Sequence, residues 1–163
     1  MKYRRIFLSH KLQIAYTREQ LFSEQFRKWL EDTHYLKPFD LVRGIECTIT
    51  LYIKNIGNEG FPGCLAKSIV INYSGGVRLD LAPFEVPEIE ADQERGVPLP
   101  PIIPIVEGPG SIEIEFSSKD GKPIECYQRR TDRPIGINRW LDVFYVISRE
   151  ILNIMWRLDR LGR

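Results

Sequence analysis

Ile45-Glu46-Cys47-Thr48-Ile49-Thr50-Leu51-Tyr52-Ile53-Lys54 decides the fold. Ile45, Cys47, Ile49, Leu51 and Ile53 occupy one face, and Glu46, Thr48, Thr50, Tyr52 and Lys54 the other. A strict period of two with β-branched enrichment is a strand with one buried face. Asn55-Ile56-Gly57-Asn58-Glu59-Gly60 then stops it. Downstream, Ile69, Ile71 and Tyr73 alternate with Val70 and Asn72, and Val77, Leu79 and Leu81 alternate with Arg78 and Asp80. A three-residue loop at Ser74-Gly75-Gly76 pairs Tyr73 with Val77, Ile71 with Leu79 and Ile69 with Leu81, which keeps every apolar residue on one face. The same reasoning predicts a second hairpin around Lys119-Asp120-Gly121. It pairs Phe116 with Ile124 and Ile114 with Cys126, and Pro123 marks an edge or bulge.

Between these hairpins, residues 83–109 hold Pro83, Pro87, Pro98, Pro100, Pro101, Pro104 and Pro109. The segment reads as an acidic loop (Glu85, Glu88, Glu90, Asp92, Glu94) followed by an irregular edge strand around Ile102–Val106. Pro98, Pro101 and Pro104 have polyproline-ligand spacing, but the isoleucines between them argue for burial rather than display. About six short strands joined by Gly- and Pro-rich turns imply a two-sheet antiparallel sandwich. Residues 40–128 resemble the immunoglobulin-like modules of the CARDB type. The resemblance rests on Ile49-Thr50-Leu51-Tyr52-Ile53-Lys54-Asn55-Ile56-Gly57 and on Gly108-Pro109-Gly110-Ser111-Ile112-Glu113-Ile114. It implies a binding or spacer module without catalytic residues.

The chain divides into an N-terminal helical extension (1–38), the sandwich (39–130) and a C-terminal amphipathic helix (131–163). The predicted fold is thus mostly β with one helix at each end. Arg5-Ile6-Phe7-Leu8-Ser9-His10 reads as a short strand. Thr17 then caps a helix carrying Leu21, Phe22, Phe26, Trp29 and Leu30 on one stripe, ended by His34, Tyr35 and Pro38. At the other end, Trp140, Leu141, Phe144, Ile147, Ile151, Ile154, Met155, Leu158 and Leu161 fit one broad helical face starting at Asn138. Val143–Ile147 also reads as a strand, with Ser148 capping a shorter helix over about 149–160.

The 163 residues carry a net charge of +1. Residues 1–38 and 129–163 each hold eight Lys/Arg against four Asp/Glu, whereas residues 39–128 hold seven against fourteen. The ends are expected to sit against the acidic middle of the same chain or of a second copy. The acidic middle argues against nucleic acid. No apolar run approaches the roughly 18 residues of a membrane span. The basic start is followed by too few apolar residues for a signal-peptide core. Three cysteines at irregular spacing suggest reduced thiols and a cytoplasmic setting, with a Cys47–Cys126 bridge between sheets left open. Cys64 reads as a loop thiol with nothing nearby to activate it, and His10 and His34 stand apart from any Asp or Cys pattern. No metal, cofactor or small-molecule ligand is expected, and the chain is not expected to be an enzyme. Its expected role is interaction with a protein partner or with itself. The predicted contacts are the C-terminal helix, through Trp140, Phe144, Ile151, Met155 and Trp156, and the Pro-rich sandwich edge. The alternative is a membrane surface met by the same helix.

Overall fold

The computed structural model describes residues 10–20 and 22–162. Thirteen elements follow in chain order: β1 (His10–Gln20), α1 (Glu24–Thr33), β2 (Asp40–Val42), β3 (Cys47–Asn55), β4 (Cys64–Asn72), β5 (Arg78–Leu81), β6 (Phe84–Val86), β7 (Glu94–Pro98), β8 (Gly108–Ser118), β9 (Ile124–Gln128), β10 (Arg133–Ile137), β11 (Arg139–Ile147) and α2 (Arg149–Leu161). They form two facing sheets, ordered β10-β9-β1-β3-β7 and β2-β11-β8-β4-β5, with β6 also paired to β4. Most pairings are antiparallel, but β1–β9 and β11–β2 are parallel. The inward rows of both sheets make one core, including Leu12, Ile14, Leu51, Ile53, Ile71, Ile114, Phe116 and Trp140.

Strand β3 has the predicted burial, with its odd-numbered residues inward. The β4–β5 register is also as read, with Ile71 opposite Leu79, Ile69 opposite Leu81, and the Tyr73 N–H donating to Val77 O. Gly75 and Gly76 have φ of 76° and 78°, the left-handed backbone that this turn requires.

The second hairpin is different. β8 pairs with β11 and β4, whereas β9 pairs with β1 and β10, so the two strands lie in opposite sheets. The apolar rows containing Ile114, Phe116, Ile124 and Cys126 still face one another, but across the core rather than side by side. A shared buried face does not distinguish a neighbour in one sheet from a partner across a sandwich. The predicted edge strand at Ile102–Val106 is also absent. Only Ile102 bridges to Cys47, and the edge position beside β3 is taken by β7. Ile103 and Ile105 are exposed rather than buried.

The helix predicted from Thr17 begins six residues later. Thr17 belongs to β1, where it pairs with Thr50 in a ladder running from Leu12–Asn55 to Gln20–Cys47. Leu12, Ile14 and Tyr16 are the inward row of this central strand. Ser23 is the true cap of α1, its Oγ accepting from the Phe26 N–H at 3.2 Å. His34 closes the helix with φ of 58°, its N–H donating to Leu30 O, so the predicted end holds. The Arg5–Ser9 part of the predicted first strand lies outside the described residues.

At the other end, the shorter-helix reading is the observed one. Residues 139–147 are strand β11, and Ser148 Oγ accepts from the Ile151 N–H to start α2. Helices α1 and α2 pack together over a second, smaller core. It contains Phe26, Trp29, Leu30, Val42 and Leu152, flanked by Phe22, Leu36, Ile45, Ile147, Met155 and Trp156.

Candidate interaction surface

The five residues read as contacts do not share a surface. Trp140 and Phe144 point inward from β11 into the sandwich core. A helical period misplaced them, because β11 alternates with a period of two. Met155 and Trp156 lie against α1, where the Trp156 ring is 4.8 Å from that of Phe26. The Trp29 indole N–H donates to Asp159 Oδ2 at 2.8 Å and fixes the same side of α2. Only Ile151 faces outward, at 58% exposure.

Ile151 has company that the sequence reading had merged into one broad face. Ile154, Leu158 and Leu161 are also exposed, from 54% at Ile154 to 84% at Leu161. The four recur at alternating steps of three and four, the spacing of a helix–helix seam. Helix α2 therefore carries two adjacent apolar rows. Leu152, Met155 and Trp156 bury against α1, and the second row is open. Glu150 and Arg157, seven residues apart, share the flank of the open row at 100° per residue. Neither makes a salt bridge among the described residues, and Glu150 instead hydrogen-bonds Ser148 Oγ at 3.1 Å.

A second exposed apolar feature lies at the foot of α2. The Arg43 N–H donates to Ile147 O, and the Gly44 N–H to Pro104 O. Arg43 also pairs with Glu107 at 3.6 Å. These links set the Ile103–Ile105 loop beside the start of the helix, with Ile103 at 53% and Ile105 at 55% exposure. The sheet edges offer less. The outermost strands β2, β5, β7 and β10 are three to five residues long, and β7 and β10 carry prolines, which blunts strand addition.

The groups with chemical potential are engaged elsewhere. Cys64 is not a loop thiol. It opens β4 and is fully buried, and burial pushes its pKa up to about 12. Burial also raises Cys47 to about 11 and Cys126 to about 12. All three are free. Cys47 and Cys126 lie in one sheet, opposite Gln20 and Leu12 of β1, so no inter-sheet bridge joins them. Eight residues of strand separate those positions, or roughly 26 Å.

His10 does have an acidic partner, which its sequence neighbours do not reveal. Its ring stacks edge-on against Phe61, and Nε2–H donates to Asp120 Oδ2 at 2.9 Å. Asp120 also accepts from Ser118 Oγ and the Lys122 N–H. The His10 hydrogen bond is the main reason its carboxyl is held down to about 2. A carboxyl depressed on folding stabilises the fold above its unfolded pKa, and that contribution disappears as the pH falls through the folded value. The urea midpoint should therefore fall between pH 3.8 and about 2 more steeply for the natural chain than for Asp120→Asn. Parallel curves would remove the assignment.

A cavity of about 650 Å³ opens between α1 and the ends of β1 and β3. Its walls mix apolar Phe22, Leu30 and Leu36 with Arg18, Glu19 and Glu31. Glu19 and Glu31 are exposed, so these carboxylates do not converge in a dry site. Among the described residues, no three His, Cys, Asp or Glu side chains come together as metal ligands would.

Two facing sheets of short strands with apolar inward rows define a β-sandwich. Among solved structures, the chain is similar to the CARDB domain of a Pyrococcus furiosus protein, known from a crystal structure in complex with di-metal ions and from a solution NMR structure. Both show 13% identity and a TM-score of 0.45 over 85% of this chain, covering 90% and 94% of the respective domains. This is the domain type that residues 40–128 resemble in sequence. No protein-family model and no curated protein matches the chain.

Proposed function

We propose that this chain is a non-catalytic interaction module whose contact surface is the open apolar row of α2, taking a protein helix as its partner. The observation that carries the reading is the exposure of Ile151, Ile154, Leu158 and Leu161 at seam spacing on a helix already fixed from its other side. Such a row on an anchored helix is preorganised, so little ordering cost opposes binding. The non-catalytic part of the reading is supported by three protonated, buried thiols and by a His10 occupied with Asp120. The flank of the row holds one acid and one base, Glu150 and Arg157. That favours a protein seam over an anionic lipid surface, which would attract one and repel the other.

The test is the double variant Ile154→Glu/Leu158→Glu. Both side chains are largely in water, so dilute-solution stability should change by no more than about 0.5 kcal/mol. Association should be lost, as read by light scattering for protein contact and by flotation with phosphatidylglycerol vesicles for lipid contact. A loss seen only in flotation would transfer the surface to membranes. A variant destabilised by more than about 2 kcal/mol in dilute solution would show that the row is core, and the reading would fall.

A further inference from the structure

We infer that the occupant of this row is the α2 helix of a second copy, running antiparallel about a two-fold axis near Ile151 and Ile154; the inference rests on the interaction-module reading above. In an antiparallel helix pair, equivalent flanks of the two helices face each other. Glu150 and Arg157 share one flank and are one heptad apart. A two-fold centred on Ile151 and Ile154 therefore sets each Glu150 against the Arg157 of the other copy, twice. A two-fold centred one half-heptad later, between Ile154 and Leu158, would bring Arg157 against its own symmetry mate. A parallel pair would set Glu150 against Met155. The charges thus select one register.

That register also accounts for the second exposed feature. Centring the pair near the start of α2 leaves Leu158 and Leu161 overhanging the foot of the opposite helix. There the Ile103–Ile105 loop is held by the Gly44–Pro104 hydrogen bond and the Arg43–Glu107 ion pair. One symmetry operation would cover both the helix row and the two exposed isoleucines, which are otherwise unrelated in sequence. The contact is isologous and closes at two copies, so it predicts a dimer and no filament.

The experiment is a charge-reversal cycle on the full chain, read by sedimentation equilibrium at low salt. Glu150→Arg and Arg157→Glu should each raise the dimer dissociation constant about tenfold, because each turns two attractive pairs repulsive. The double variant Glu150→Arg/Arg157→Glu should return to within about threefold of the natural chain. Far-UV circular dichroism keeps loss of the helix separate from loss of the dimer. A double variant no tighter than the single ones overturns the register. A natural chain that stays monomeric at its highest soluble concentration overturns the second-copy inference. If that monomer still floats with phosphatidylglycerol vesicles and Ile154→Glu stops it, the surface stands and only its occupant was misassigned. If Ile154→Glu changes neither assay, the interaction-module reading falls as well.

Discussion

Trp140→Ala is expected to destabilise the fold by about 3–5 kcal/mol, the range for removing a large aromatic side chain from a core. Trp140 is fully buried on β11 opposite Ile114 of β8, at the centre of the larger core. The site has little room to collapse, because the ladder to β8 holds it on one side and the apolar row of the facing sheet covers it. A conservative control separates size from polarity. The indole N–H of Trp140 is buried and lacks a partner among the described residues. Trp140→Phe removes that unsatisfied donor along with some volume, so its cost should be less than half that of the alanine variant. Urea unfolding measures both. A loss below about 1 kcal/mol for Trp140→Ala would mean that the residue is not part of the core.

Trp140 also shows where sequence reasoning succeeds and where it stops. Strand β3 was legible because its inward residues from Cys47 to Ile53 are apolar and its outward residues are polar or amphipathic; only Asn55, at its end, is both buried and polar. The β4–β5 turn was legible because only one loop length keeps both apolar rows on one face. β11 was ambiguous for a physical reason. Its inward row is Trp140, Asp142, Phe144 and Val146, and its outward row includes Leu141, Val143, Tyr145 and Ile147. A buried acid on one face and exposed apolar residues on the other erase the alternation, and a helical period fits by coincidence. β1 carried a usable signal in Leu12, Ile14 and Tyr16, but Thr17 and Glu19 also make a credible helix start. Here ladder pairing outweighs local capping chemistry. The sheet assignment of β9 was beyond reach, since it depends on which strand stands across the core and not on β9 itself. For the proposed surface, the apolar residues of α2 were visible in the sequence. The division between its buried and open rows was not, because α1 decides it.

The acid that disguised β11 should have the other large effect. Asp142 is 3% exposed, and its Oδ1 accepts from Gln128 Nε2 at 2.8 Å, from the Val143 N–H at 2.8 Å and from Arg130. The Arg130 guanidinium also lies 4.0 Å above the Phe39 ring. Beside this group, the Tyr16 hydroxyl reaches the carbonyls of Phe39, at 3.2 Å, and Val143, at 3.1 Å. Tyr16 belongs to one sheet and Val143 to the other, so the cluster ties the two sheets at one end of the sandwich. Removing one member of a buried charge pair leaves its partners without a counterpart, which costs about 3–5 kcal/mol where both are sealed. Arg130 retains some access to water, so Asp142→Ala is expected at the lower end, about 3 kcal/mol. Asp142→Asn keeps the shape and can still accept hydrogen bonds, so about half of that loss should remain. The decisive comparison is the double-mutant cycle with Arg130→Ala. With the guanidinium already gone, Asp142→Ala should cost at least about 1 kcal/mol less than in the natural chain, because the two act as a pair. Additive losses in urea unfolding would mean that Asp142 works through Gln128 and the backbone alone. The charge pair would then contribute nothing to holding the sheets together.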